Sequence, residues 1–407
     1  MKPTFILCLA LVLSGVLLGC SSMAQAEASA PGARTVVAGN TAFTVDLYGK
    51  LRTKSGNLCF SPYSISTALA MTYGGARGET AEQMAQALHF NLPADQLHPA
   101  FAALATDFKA EQEKGLVQLV EANSLWPQKD FAFRSDYLAL GQKYYGAAIK
   151  PVDYAKHTEA ARKMINGWVS AKTNQKIVEL LKPGMLDVSN RLVLVNAIYF
   201  KGNWASQFEI KLTEEKPFHV SPERTITAPL MRQTHDCRYA EFPGLQILEL
   251  PYVGGDLSIQ VLLPRQMDGL GNLETELTAQ NLAAWIASLQ SEKVEVFLPK
   301  FRITSEFSLA DTLGGMGMPN AFSPARADFS AMDGRKDLYV SAVAHQAFVE
   351  VNEEGTEAAT STAVMMRPRG LPPPLPVFRA DHPFLFLIRD NRNGSILFLG
   401  RVTDPTQ

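Results

Sequence analysis

The sequence predicts an α+β fold, and three observations carry that expectation. Helical periodicity dominates the first half of the chain and strand patterns dominate the second. The two do not alternate regularly, as they would in a doubly wound sheet, and no internal repeat appears. The chain has 407 residues, 46% of them hydrophobic and 19% charged, enough for a full-sized core. A formal net charge of −2, from 38 basic and 40 acidic residues, argues against a nucleic-acid surface.

In chain order, the first segment is not part of the fold. Lys2 precedes an apolar stretch from Phe5 to Leu18, too short to span a bilayer comfortably and flanked like a signal peptide. Leu17-Leu18-Gly19-Cys20 resembles a bacterial lipobox, which makes residues 1–19 a lipoprotein signal and Cys20 a lipid-modified N-terminus. On this reading the protein is exported and anchored to a membrane, facing the periplasm or cell surface. Ala24-Gln25-Ala26 offers the alternative of ordinary cleavage and soluble secretion. The small and polar run that follows makes residues 20–35 a flexible tether.

A helix opens near Gly78-Glu79-Thr80, where Thr80 and Gln83 form a capping-box pattern and Ala81, Met84, Ala85 and Leu88 an apolar face. Residues 158–171 read as another helix, with Ala161, Ile165, Trp168 and Val169 on one side. Leu192 to Ile198 is a nearly continuous apolar run, as expected of a central strand buried on both faces. Gln246–Leu250, Leu257–Leu263 and Val294–Leu298 are further strands. Phe384–Ile388 and Ile396–Leu399 flank Asn391-Arg392-Asn393-Gly394, a hairpin signal through Asn-Gly.

Of the four cysteines, Cys8 leaves with the signal and Cys20 is taken for acylation. Cys59 and Cys237 remain, as buried free thiols or as one disulfide. With no CxxC and no Cys/His cluster, neither a metal nor a cofactor is expected. GxSxG, HExxH, a Walker loop and a strand-linked GxGxxG are all missing, so nothing nominates an enzyme.

The most informative stretch runs from Val349 to Pro376. A strand pattern, Ala347–Val351, enters an acidic turn, then Gly355 and a run of small residues. Met365-Met366-Arg367-Pro368-Arg369-Gly370 follows, and then the proline-rich Leu371-Pro372-Pro373-Pro374-Leu375-Pro376. This composition suits a linker, yet only about 30 strand-like residues lie beyond it. Drawn as a strand, it places Thr356, Ala358, Thr360, Thr362, Val364 and Met366 on one side, all small or apolar. The segment can therefore serve as a loop or as a strand.

Glu354-Gly355-Thr356-Glu357-Ala358-Ala359 resembles the hinge of the serpin reactive-centre loop. Four more stretches match, widely separated along the chain. Asn57-Leu58-Cys59-Phe60-Ser61-Pro62-Tyr63-Ser64-Ile65 resembles the family's Asn-Leu-x-x-Ser-Pro-x-Ser-Ile, and Asn196-Ala197-Ile198-Tyr199-Phe200-Lys201-Gly202-Asn203-Trp204 its Asn-Ala-x-Tyr-Phe-Lys-Gly-x-Trp. Asp381-His382-Pro383-Phe384-Leu385-Phe386 and Phe398-Leu399-Gly400-Arg401-Val402-Thr403-Asp404-Pro405 are similar to its C-terminal strands.

The resemblance implies one serpin domain over residues 36–407, with three β-sheets, about nine helices and an exposed reactive loop at about 353–378. It implies a monomer whose partner is a serine protease. The protease cleaves the loop, forms an acyl-enzyme, and is trapped when the loop inserts into the central sheet. The family's spacing puts the bond fourteen residues after Gly355, between Arg369 and Gly370, which implies a trypsin-like target. Met366, Arg367 and Pro368 would also contact the protease. Arg367-Pro368 is a poor bond because proline lacks the N–H; Met366-Arg367 lies three residues short of the spacing. Ser61, Ser64, Asn196 and His345 match the family's shutter, and Trp204 its breach tryptophan. Residues 356–364 hold nothing that obstructs insertion, so an inhibitor is expected, with a non-inhibitory surface-binding member as the alternative.

Overall fold

The computed structural model of the chain describes residues 31–146, 148–354 and 374–407. The signal segment, Cys20 and the loop residues Gly355, Thr356, Glu357, Ala358, Ala359, Met366, Arg367, Pro368, Arg369 and Gly370 lie outside the described residues.

The order of elements follows the sequence pattern. Helices α1 (Pro31–Leu51), α2 (Pro62–Tyr73), α3 (Gly78–Ala87), α4 (Ala94–Glu113), α5 (Ser135–Tyr145) and α6 (Tyr154–Lys172) come first, and most strands come later. Four shorter helices bring the α-helices among the described residues to ten. The strands are β1 (Leu58–Phe60), β2 (Val117–Pro127), β3 (Ala148–Ile149), β4 (Leu192–Gly202), β5 (Glu214–Ser221), β6 (Arg224–Glu241), β7 (Leu245–Pro251), β8 (Leu257–Pro264), β9 (Gln290–Pro299), β10 (Phe301–Ser308), β11 (Val340–Val351), β12 (Val377–Arg379), β13 (Phe384–Asp390) and β14 (Ile396–Val402). Among the described residues no helix is long and apolar enough to cross a membrane.

One sheet has five strands in the order β10-β11-β4-β2-β3. Its middle strand, β4, is buried at nine successive positions. Leu192, Leu194, Ile198 and Phe200 enter one core, while Val193, Val195 and Ala197 enter another beneath α6. That two-sided burial is why the sequence reads there as one apolar run. The other strands follow the path β1-β14-β13-β8-β7-β6-β9-β12, with β5 on β6. The long β6 serves two sheets, pairing β5 and β9 along most of its length and β7 near its end. Three sheets result, as expected for the α+β serpin fold.

Three local expectations need correction. Thr80 is not a cap: α3 begins at Gly78, and the Thr80 hydroxyl accepts a hydrogen bond from the Asp328 N–H at 3.0 Å. The tether ends sooner than residue 35, because α1 starts at Pro31 and buries Ala33. The loop ends sooner than residue 378, because β12 begins at Val377 and Phe378 is buried. Of the two states expected for Cys59 and Cys237, the structure has the buried free thiols and not the disulfide. The Asn-Gly hairpin is present: β13 and β14 pair antiparallel, with Gly394 at φ +88°.

Candidate functional site

The five-stranded sheet contains an unusual joint. β11 pairs β4 in parallel from Val340↔Leu192 to Val349↔Phe200. The outer neighbours of the same two strands, β10 and β2, both run antiparallel to them. A strand entering between β11 and β4, antiparallel to each, would replace one parallel ladder with two antiparallel ones. Antiparallel ladders are slightly more stable per residue.

A row of polar side chains crosses this joint. Phe307 on β10, His345 on β11, Asn196 on β4 and Asn123 on β2 are successive partners in register. Beneath them Ser61, with an extended backbone, caps α2, its side chain accepting from Ser64 N at 3.2 Å. The Ser61 N–H donates to His345 Nε2 at 3.1 Å. Nε2 is therefore an acceptor, the proton sits on Nδ1, and Nδ1–H donates to Asn196 Oδ1. The Asn196 amide donates to Ser64 Oγ at 2.5 Å and to Asn123 Oδ1. Ser64 Oγ donates to Asn123 Oδ1 at 3.2 Å.

Burial pushes the His345 imidazole down to about 3, so it is neutral at physiological pH and suited to donate and accept at once. Its ring stacks on Phe307 at 6.1 Å. The row binds α2 to three strands, and parting β11 from β4 requires breaking the histidine–asparagine bond inside a dry core.

The second cluster lies where β11 ends and the loop begins. Trp204, stacked on Tyr252 at 4.7 Å, donates its indole N–H to the Asn352 carbonyl at 2.8 Å. Glu353 is only 5% exposed. Its carboxylate accepts from Thr213 Oγ1 at 2.9 Å and pairs with Lys300 Nζ at 2.8 Å. Burial works against its charge, but the Lys300 ammonium and Thr213 hydroxyl outweigh that and hold the carboxyl below its usual range. Bonds to two main-chain carbonyls finish the clamp. Phe208 N–H donates to the Glu353 carbonyl at 3.2 Å, and Gln207 Nε2 to the Glu354 carbonyl at 2.8 Å.

The structure thus brings Ser61, Ser64, Asn196 and His345 together, and sets Trp204 and Glu354 at the root of the loop. Sequence reasoning missed Asn123, Glu353, Thr213 and Lys300. Asn123 belongs to a strand that was not anticipated, where Glu121 and Asn123 interrupt the apolar alternation of Leu119 and Leu125. Glu353 reads as part of an exposed acidic turn, and its partners are 53 and 140 residues away, too far for any local signal.

The family model for serpins, serine protease inhibitors, matches residues 38–405. Leukocyte elastase inhibitor A of Mus musculus is 41% identical over 381 residues, covering 90% of this chain and 98% of the relative. The leukocyte elastase inhibitor of Homo sapiens has the same identity over the same length and shares. Among solved structures, uncleaved ovalbumin superposes with a TM-score of 0.83 at 28% identity, covering 91% of this chain and 100% of its own. Serpin48 of the insect Tenebrio molitor gives 0.80 at 32% identity, covering 91% and 98%.

Proposed function

The chain belongs to the serpin family of serine protease inhibitors, and on that footing we propose that it traps a trypsin-like protease as a suicide substrate. It is an inhibitor rather than a catalyst. The observation that carries the reading is the parallel β11–β4 joint. β11 runs directly into the loop root, so a loop freed by cleavage can fold back beside its own strand and enter the sheet antiparallel to both neighbours. Thr356, Ala358, Thr360, Thr362 and Val364 supply side chains that such a strand can bury.

Arg369 is the residue read by the target. A trypsin-like pocket pairs a carboxylate with guanidinium in a charge-assisted, often bidentate contact. The relatives above are named for leukocyte elastase; here an arginine stands at the position the hinge spacing selects. Export with lipid anchoring at Cys20 is part of the same proposal and rests on Leu17-Leu18-Gly19-Cys20, ahead of the residues the family model covers.

The test is a gel and a mass spectrum. Mixed with trypsin, the protein is expected to give an SDS-resistant complex and to release a C-terminal fragment beginning at Gly370. Cleavage without complex would favour the non-inhibitory, surface-binding reading. A fragment starting at Arg367 would overturn the assignment of Arg369, and Arg369→Ala should abolish trapping while leaving the fold intact.

A further inference from the structure

Beside the point where the chain re-enters the fold, three strands carry a stacked cluster. Arg232 on β6, Phe297 on β9 and Arg379 on β12 are partners in register, so their side chains share one face. Both guanidinium groups lie over the Phe297 ring, Arg379 at 3.6 Å from its centroid and Arg232 at 5.5 Å. Glu295 accepts two hydrogen bonds from Arg232, at 2.9 and 2.6 Å. In the rows beyond, Asp236 stands opposite Lys293. Those two exposed side chains are of opposite sign. Arg379 is exposed, and no carboxylate among the described residues forms an ion pair with it. It is an exposed cation of this face with no carboxylate partner among the described residues, its planar group held against an aromatic ring.

Position gives the cluster its meaning. The Glu295 N–H donates to the Pro376 carbonyl at 2.9 Å, and Ala380 N–H to Phe297, so the strand carrying Arg379 is fixed to the sheet. The chain from Gly370 to Val377 spans at most about 25 Å even when fully extended. A protease domain of roughly 230 residues has a radius of gyration of roughly 17 Å. An enzyme attacking Arg369 is therefore held within reach of this face.

We propose that Arg379, held by Phe297 and flanked by Arg232, is a docking contact for an acidic patch on the surface of the attacking serine protease. The inference rests on Arg369–Gly370 being the bond attacked. Such a contact acts before acylation. It raises the rate of encounter and orients the enzyme over the loop, and it leaves the later competition between insertion and deacylation unchanged.

The test compares association rates of the parent, Arg379→Glu and the milder Arg379→Gln, using trypsin whose surface lysines have been succinylated as the acidic probe. At about 50 mM NaCl the glutamate variant should associate about 3- to 10-fold more slowly, and the gap should close near about 0.5 M as screening shortens the field. Stoichiometry and the amount of covalent complex should stay at parental values. Arg326→Glu, an equal charge change at an exposed site beside the 319–322 turn, should leave the rate unaltered. Equal rates for the parent and both Arg379 variants at low salt would overturn the proposal, as would an equal slowing by Arg326→Glu. If the parent itself forms no covalent complex, the inhibitory reading falls and this contact falls with it.

Discussion

His345 Nδ1 donates its proton to Asn196 Oδ1 across the parallel joint of the central sheet, and the two residues are direct partners in the strand register. The joint is thus closed by side chains as well as by main-chain bonds. An arriving strand would have to separate this pair.

Asn196→Ala should loosen the joint. It strips the partner from a buried imidazole N–H and from Ser64, at a cost of about 2–3 kcal/mol. A lower unfolding midpoint for the uncut protein is expected, with faster loss of trapping activity on storage. A midpoint equal to the parent's would show that the row does not hold the sheet.

Glu353 should make the loop root acid-sensitive. Its carboxyl is held below the usual range in the fold, so its contribution is present above the unfolded value near ~4.3 and is lost as pH falls through the folded one. Glu353→Gln should destabilise the native form at pH 7 by about 1–3 kcal/mol and flatten its response to acid. Thermal melts between pH 3 and 7 would read both effects, and parallel curves for parent and variant would refute them.

Glu121 should act in the opposite direction. No hydrogen bond from the described residues reaches its buried Oε1, and burial raises the carboxyl to about 7. The folded form keeps a proton that the unfolded chain releases near ~4.3, so stability falls as pH rises from there to 7 and is level beyond. Glu121→Gln is expected to raise the midpoint at pH 8 and leave it nearly unchanged at pH 4. A variant that melts below the parent at pH 8 would contradict this.

Cleavage should make the protein far more heat-resistant, because the freed strand would complete the sheet between β11 and β4. Equal midpoints before and after clipping would sink the inhibitory reading. Thr356→Arg should turn the inhibitor into a substrate: insertion would bury an unpaired guanidinium and slow until deacylation wins. Covalent complex at the parental stoichiometry would show that Thr356 does not lead the inserted strand.

The parts of the fold legible in the sequence are those whose physics is local or repetitive. β4 announces itself because both of its faces are dry, and the β13–β14 hairpin because Asn393-Gly394 permits a left-handed turn. Ser61, Ser64, Asn196 and His345 were found through motifs of the family; on its own, His345 reads as an ordinary core histidine. Asn123 and Glu353 stayed hidden because each is a polar residue that looks solvated until distant partners enclose it. Thr80 misled for the opposite reason: its pattern is that of a helix start, while its hydroxyl serves the Asp328 main chain.

The parallel joint between β11 and β4 has an evolutionary consequence. If the freed loop inserts there, selection acts on a waiting time rather than on depth of stability. A substitution that fastened His345 more tightly to Asn196 would lengthen the shelf life of the armed molecule and blunt its speed. One that eased the pair apart would give a quick trap that spends itself on nothing. Residues at this joint should therefore drift little in either direction, even where a better-packed alternative lies one nucleotide away.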